Sequence, residues 1–355
     1  MTYDIAIIGA GPAGATLARR LHPDFNVLLL DRRDLLEPNP QGPGKCCGGL
    51  LAPDAQEIFG RMGLAIPKGI LVDPQLFLVR TIDFDTGLER HYQRFYFNMD
   101  RNRFDAWQVS LVPESVDLAF GCRFTGFVED REGVSFALTH QGRVHTVKAR
   151  LLIGADGAWS RVRKQAFPET AIRRYVAIQE WYEYEDTIPH FGAIFDSSLT
   201  DFYGWTISKD GQLVIGIALE EGPDIMEKFG RFRQKLTEVG FKLGTPLRRE
   251  GTRINRPTGP KQIVTGNDRV ALVGEAAGFI SPSSAEGISY AVKSAMILAG
   301  ALDEGVFGLG KRYAKMTGPL KRNIVGKTLK VPFLYQPFLR NLAMRSGLMT
   351  SHLEW

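Results

Sequence analysis

Asp4-Ile5-Ala6-Ile7-Ile8-Gly9-Ala10-Gly11-Pro12-Ala13-Gly14 is the stretch that decides the fold. Its apolar run up to Ile8 predicts a buried parallel strand. Ala15 to Leu21 predict the helix that follows. Between them Gly9, Gly11 and Gly14 have GxGxxG spacing. In such a turn the first glycine permits a tight bend, the second lets the backbone approach a pyrophosphate, and the third lets helix and strand pack closely. The unpaired N–H groups at the helix start face the phosphates.

Working outward, Asn26 to Leu30 predict a second parallel strand ending in Asp31. An acid about 20 residues past the glycines accepts hydrogen bonds from ribose hydroxyls. Arg32 follows and leaves room for a 2'-phosphate partner. Strand, glycine turn, helix, strand and acid together predict a dinucleotide site.

The 355 residues, 44% of them hydrophobic, suffice for one large core or two domains. Three cysteines, two of them the adjacent Cys46 and Cys47, make a disulfide framework a poor reading and favour a reducing, cytoplasmic setting. No signal-peptide pattern precedes the first strand, and no run of eighteen apolar residues spans a membrane. The net charge is +5, yet Gly305 to Leu353 carry nine Lys or Arg and no Asp or Glu. A basic tail on a mildly acidic body suggests an anionic surface as partner. Basic-aromatic interleaving of a nucleic-acid platform is missing, so nucleic acid is not expected.

Pro38 to Gly49 form a Pro/Gly-rich loop ending Lys45-Cys46-Cys47-Gly48-Gly49. Adjacent thiols do not suit one tetrahedral ion, so no metal is predicted. So many glycines fit tight turns and a backbone passing close to something flat. From Leu71 to Phe97 the texture changes to alternating strands, with a turn at Asp85-Thr86-Gly87, and marks an inserted second domain. Met99 to about Val112 predict a helix whose arginines, Arg101 among them, reach cofactor phosphates. Gly121–Phe127, Val134–Thr139 and Arg143–Ala149 predict strands, and Leu151 to Ala155 a further buried one before Asp156-Gly157. Aromatics crowd the strand-rich region from Ile172 to Ala218, Tyr203 and Trp205 among them, and suit an apolar or flat substrate. Ile225, Phe229, Phe232, Leu236 and Val239 give Asp224 to Gly240 one apolar helix face. Arg269 to Val273 are a buried strand that leads into Gly274-Glu275-Ala276-Ala277-Gly278. A loop to Glu286 then opens a helix at Gly287-Ile288, whose free N–H groups face the cofactor's negative end. Pro332 and Pro337 break the last basic, amphipathic stretch into short helices. The implied domains are 1–69, 98–170 and 263–304 for the dinucleotide; 70–97 and 171–262 for substrate; and 305–355 as a helical segment.

Three separated signatures resemble those of glutathione-reductase-type FAD proteins, specifically the aromatic-hydroxylase-like class. They are Gly9-x-Gly11-Pro12-Ala13-Gly14, Gly154-Ala155-Asp156-Gly157-x-x-Ser160 and Val273-Gly274-Glu275-Ala276-Ala277-Gly278. Arg101-x-x-Phe104-Asp105 is similar to the class's arginine-bearing helix. The resemblance implies an α/β FAD-binding Rossmann-like domain with an inserted antiparallel β-sheet substrate domain and a C-terminal helical segment. It implies FAD as cofactor, with Pro12, Ala13, Asp31, Arg32, Cys46, Cys47, Gly48, Arg101, Asp156, Gly274, Glu275, Gly278, Gly287 and Ile288 beside the glycine turn as its site. Glu275 stands where the class usually has Asp, so its longer arm alters the contact.

Within that class, Cys47-Gly48-Gly49 and Tyr203-Gly204-Trp205-Thr206-Ile207-Ser208-Lys209 resemble segments of the geranylgeranyl reductase family. Ile207 and Ser208 replace that family's Phe-Pro pair. The likeness implies reduction of carbon–carbon double bonds in a prenyl chain by hydride from reduced flavin N5, with NAD(P)H or another electron donor. Cys47 would shape the pocket or supply a proton, and Tyr203 and Trp205 would wall the cavity. An FAD-dependent monooxygenase on an aromatic or lipid substrate is the alternative. A flavin-dependent halogenase is a lesser one, because only Trp205 and Ile207 fit its segment. A non-enzymatic FAD-containing binder is the reading outside enzymology. The basic tail suggests peripheral contact with a membrane surface.

Overall fold

The computed structural model describes residues 2–36 and 44–347. The first part of the Pro/Gly-rich loop, 38–43, and the tail beyond 347 lie outside the described residues. In chain order the elements are β1 (Thr2–Ile8), α1 (Pro12–Arg20), β2 (Val27–Leu30), β3 (Leu50–Leu51), α2 (Pro53–Arg61), β4 (Leu76–Asp83), β5 (Leu88–Asn98), α3 (Arg101–Ser110), β6 (Val116–Ala119), β7 (Arg123–Glu129), β8 (Val134–His140), β9 (Arg143–Gly154), α4 (Arg161–Ala166), β10 (Arg173–Glu183), β11 (His190–Phe195), β12 (Gly204–Lys209), β13 (Gln212–Glu220), α5 (Ile225–Glu238), β14 (Arg248–Arg256), β15 (Val270–Leu272), α6 (Ile288–Leu302), α7 (Leu309–Met316), α8 (Gly318–Thr328), α9 (Val331–Tyr335) and α10 (Pro337–Arg345).

The chain divides into two compact units. The first unit takes residues up to 44, 102–173 and 255–328. Its sheet runs β6-β2-β1-β9-β8-β7, with β15 also paired to β9. The apolar run Ile5 to Ile8 is fully enclosed because β1 has parallel neighbours on both sides, Val27 to Leu30 and Leu151 to Gly154. The two strands expected at 143–149 and 151–155 are one strand, β9. Its first half pairs antiparallel with β8 and its second half parallel with β15. Helices α1 and α6 pack beside one another in this unit, and Leu298, Ala295 and Leu17 are buried in its core.

The second unit takes residues 45–101, 174–254 and those from 329 on. Its sheet runs β14-β10-β13-β12-β11-β4-β5-β3. Its pairs β10–β13, β13–β12, β12–β11, β4–β5 and β5–β3 are antiparallel, whereas β11 runs parallel to β4. Helix α5 covers one face: Phe229, Phe232 and Leu236 pack on Ile178, Ile215 and Ile217. Val239, expected on that face, lies beyond the helix end and is exposed.

The compact units depart furthest from the ranges drawn on sequence texture at two places. Residues 45–69 fall in the second unit, because Leu50 and Leu51 pair with Asn98 and Phe97 of β5. The C-terminal segment is shared: α7 and α8 belong to the first unit, α9 and α10 to the second. Pro332 and Pro337 separate these helices as expected, and each does so by sitting at a helix's first turn, where its missing N–H is no loss.

Candidate active site

The first unit builds an anion-ready cradle. Gly9 has φ +105, and a Cβ there would meet Ala155 O at 2.6 Å. At Gly14 an added Cβ would fall 1.8 Å from Gly9 O. Both positions are therefore closed to any side chain. Gly11 is different: its added Cβ would meet nothing within 4 Å. That open approach lies at the start of α1, where Pro12 opens the helix, Gly11 gives no side-chain cap and no acid stands in the first turn. Uncapped N–H groups beside open space fit a pyrophosphate. Gly274, at φ +58, brings its turn against Ala13, 3.0 Å from a would-be Cβ. Gly278, at φ +89, is held by close approach to Gln262 O. Gly287 caps α6 at Ile288, also without a side-chain hydrogen bond. The residues present fit the ADP half of FAD.

The expected acids have defined places. Asp31 is buried, and its carboxylate accepts from Ala10 N at 2.9 Å, from Arg33 N at 2.9 Å, and from Arg33 Nε and Nη2 at 3.2 Å each. Four protein donors occupy a carboxylate's four lone-pair positions. Asp31 thus ties the glycine turn to the end of β2. Arg32 points to solvent, whereas Arg33 bridges Asp31 and the fully buried Asp105, the latter at 2.8 Å. Sequence reading missed Arg33; the signal was its place two residues past the acid. Asp156 Oδ2 accepts from Arg161 N at 2.7 Å and Val162 N at 3.3 Å, so it braces the start of α4, which Ser160 also caps. Burial pushes the Asp156 carboxyl up. Glu275 turns its longer arm to accept from Asn255 N at 2.9 Å.

The remaining predicted residues meet in the second unit. Trp205, Ile207 and Lys209 alternate onto one face of β12. The Cys47-Gly48-Gly49 segment lies across that face. A Cβ on Gly48 would meet Ile207 Cδ1 at 2.8 Å, and one on Gly49 would meet Lys209 Nζ at 2.8 Å. The two stretches that carried the closest family resemblance are therefore adjacent. The Cys47 thiol is half-buried and accepts from Arg101 Nη1 and Gly49 N, each at 3.4 Å. Burial works to raise its pKa, but the Arg101 guanidinium and the Gly49 N–H outweigh it and hold the thiol below its ordinary value. Arg101, expected at phosphates, is thus a partner of Cys47. Cys46 is the opposite case: burial and the Glu250 carboxylate push its thiol far up.

Lys209 has buried its ammonium, and among the described residues no carboxylate stands within ion-pair distance of it. It donates to Asn98 Oδ1 at 2.5 Å, Met99 O at 2.9 Å and Gly49 O at 3.3 Å. Burial lowers its pKa to about 8. Tyr203 and Trp205 sit edge-to-face with centroids 6.1 Å apart, and Tyr203 meets Phe202 at 5.0 Å. Phe195, Phe202 and Tyr335 extend this aromatic group. Among the described residues no cluster of His, Cys, Asp and Glu could hold a metal.

Comparison with known proteins agrees with the fold and the cofactor. A family model described as an FAD binding domain matches residues 110–182. The fold is shared with a geranylgeranyl bacteriochlorophyll reductase-like protein of Thermoplasma acidophilum at TM-score 0.80, with 20% identity over 96% of this chain and 90% of that one. It is shared also with PqsL, named a probable FAD-dependent monooxygenase, of Pseudomonas aeruginosa, at TM-score 0.68, with 17% identity over 98% of this chain and 100% of that one. Fold and family model define an FAD-dependent oxidoreductase with a fold like that of the aromatic hydroxylases. Protein CbrA of Escherichia coli strain K12 is 41% identical over 347 residues, which are 97% of this chain and 97% of its own. The chain belongs to the CbrA family.

Proposed function

We propose that this flavoenzyme reduces carbon–carbon double bonds of a prenyl chain. The observation that carries the reading is the meeting of Cys47-Gly48-Gly49 with the Trp205-Ile207-Lys209 face of β12. That face carries Trp205 at one end and the buried Lys209 ammonium at the other, and the segment lying across it brings the Cys47 thiol with its guanidinium partner. The name of the Thermoplasma protein points the same way. The cradle at Gly9, Gly11, Gly14, Gly274 and Gly278 holds FAD, which when reduced supplies hydride to one alkene carbon. The second alkene carbon takes a proton from Cys47 Sγ. Arg101 Nη1 and Gly49 N stabilise the thiolate left behind, and solvent reprotonates it. Trp205, Tyr203 and Phe202 orient the chain and exclude water. The test is anaerobic turnover of the flavin-reduced enzyme with geranylgeranyl lipids and prenylquinones, the products weighed by mass spectrometry. A gain of two mass units per reduced bond supports the reading. Substrate-dependent oxygen uptake with gain of one oxygen atom would replace it with a monooxygenase.

We propose further that α9 and α10 touch an anionic bilayer. Leu329, at 73%, and Phe338, at 76%, are exposed, as are Phe333 and Leu342. Phe338 and Leu342 share a face at i, i+4 spacing. The stretch from Gly305 to Leu353 contains no acid. Some of its nine basic residues are spent internally: Arg340 is buried against Asp83 and Asp85, and Arg312 pairs with Glu304 and donates to Ala301 O and Phe307 O. Co-sedimentation with phosphatidylglycerol vesicles, absent with phosphatidylcholine and lost in Phe338→Glu/Leu342→Glu, is expected. Equal binding to both lipids in either protein would overturn it.

A further inference from the structure

We infer that Gln179 and Trp205 form a two-point seat for a hydroxyl group on an otherwise apolar ligand. Gln179 of β10 stands opposite Gly216 of β13, and Gly216 stands opposite Trp205 of β12. Residues in register share a face, so the three make one row across the sheet. It is the face turned away from α5, whose side takes Ile178, Ile215 and Ile217. Gly216 leaves its place in the row without a side chain. A Cβ there would fall 2.4 Å from Trp205 Cε2 and Cζ2 and 2.7 Å from Nε1. The nitrogen-bearing edge of the indole therefore reaches over β13, on the side where Gln179 stands.

Both side chains are buried, Gln179 to 1% exposure and Trp205 to 8%. Gln179 Nε2 donates to Glu250 Oε2 at 2.9 Å. A carboxylate only accepts, so the amide's NH2 must face it and the carbonyl faces elsewhere. That carbonyl, Oε1, is buried with no hydrogen-bond partner, and so is Trp205 Nε1. Buried polar atoms are seldom left in this state, and a matched donor and acceptor in one row ask for a group that is both. A hydroxyl meets the need: its oxygen accepts from Trp205 Nε1 and its hydrogen goes to Gln179 Oε1. The rest of the ligand follows the prenyl reading above, on which this inference rests.

Equilibrium dialysis of the FAD-loaded protein with geraniol, geranyl methyl ether and the matching hydrocarbon tests it. The ether accepts but cannot donate. In Gln179→Leu the preference for geraniol over the ether should fall about tenfold, with affinity for the ether kept. In Trp205→Phe geraniol and ether should both weaken about tenfold relative to the hydrocarbon. A readout on the unaltered protein stands beside these. One of the five tryptophan indole N–H resonances should move downfield with geraniol and with the ether, and stay with the hydrocarbon. Unchanged preference in Gln179→Leu, or no indole shift, overturns the inference and leaves the prenyl reading standing. Failure of all three compounds to bind overturns both.

Discussion

At the residue scale, the two adjacent cysteines are opposites. Cys47 has the Arg101 guanidinium and the Gly49 N–H; Cys46 has Glu250 nearby and no comparable donor. Iodoacetamide at pH 7 should therefore modify Cys47 well before Cys46, as peptide mass mapping would read. In Arg101→Met the thiol loses its main counter-charge, and the pH at which Cys47 is half-alkylated should rise. Lys209 gives a second residue-level expectation. Its ammonium titrates near 8 in the fold and near 10.5 when unfolded. Between those values the unfolded chain binds more protons, so stability rises with pH across that window. Urea midpoints measured from pH 7.5 to 10 should increase, and Lys209→Met should flatten the rise. The same variant removes the Lys209 donor from Met99 O and Asn98 Oδ1, while Gly49 O keeps Met99 N at 2.9 Å, at a cost of about 1–3 kcal/mol for each atom that stays buried and unpaired.

At the scale of elements, what could be read from sequence was what depends on residue type alone. The turns at Gly9, Gly274 and Gly278 are legible because positive φ or close backbone approach leaves glycine as the fitting residue. Helix α5 is legible from Phe229, Phe232 and Leu236, though its apolar spacing runs one residue past the helix end to Val239. Pairings between distant residues were not legible. Gln179 becomes part of a polar row only because β13 and β12 bring Gly216 and Trp205 beside it, and no local pattern announces that. The Arg33–Asp105 pair joins residues 72 positions apart. The saturation of Asp31 by Arg33 likewise follows from a side-chain turn that spacing does not encode. Glycine substitutions separate the cases. Gly14→Ala places a methyl group on Gly9 O and should destabilise by about 3 kcal/mol or more and abolish the flavin absorption band of the purified protein. Gly60→Ala, in α2 with nothing within 4 Å, should stabilise by about 0.5–1 kcal/mol. Arg340→Met leaves the buried Asp83 without its charge partner and should lower stability by about 3–5 kcal/mol.

At the scale of the whole molecule, both units are built from three separate segments of chain. Ligand binding to one of them should be visible as local protection. Hydrogen exchange with and without FAD should slow at residues 9–16, 154–162 and 274–280, which surround the cradle, by a factor that grows with free FAD above its Kd. Unchanged exchange at all three would place the flavin elsewhere. The second compact unit begins at residue 45, ahead of the texture change near Leu71. A two-residue strand such as Leu50–Leu51 carries too little pattern to be seen before its partner Phe97 is known.

The position of β15 has a consequence for how the protein is made. β1 is complete within the first eight residues, yet β15, which pairs with Leu152 to Gly154 of β9, comes only at Val270–Leu272. During synthesis the opening glycine turn leaves the ribosome long before the Gly274 turn that packs against Ala13 exists. With the cradle proposed above, cofactor capture would wait until more than three-quarters of the chain is out, while the nascent β1–β9 sheet carries an unfilled edge. A message truncated before Val270 would yield a chain that holds the whole GxGxxG signature and retains no flavin.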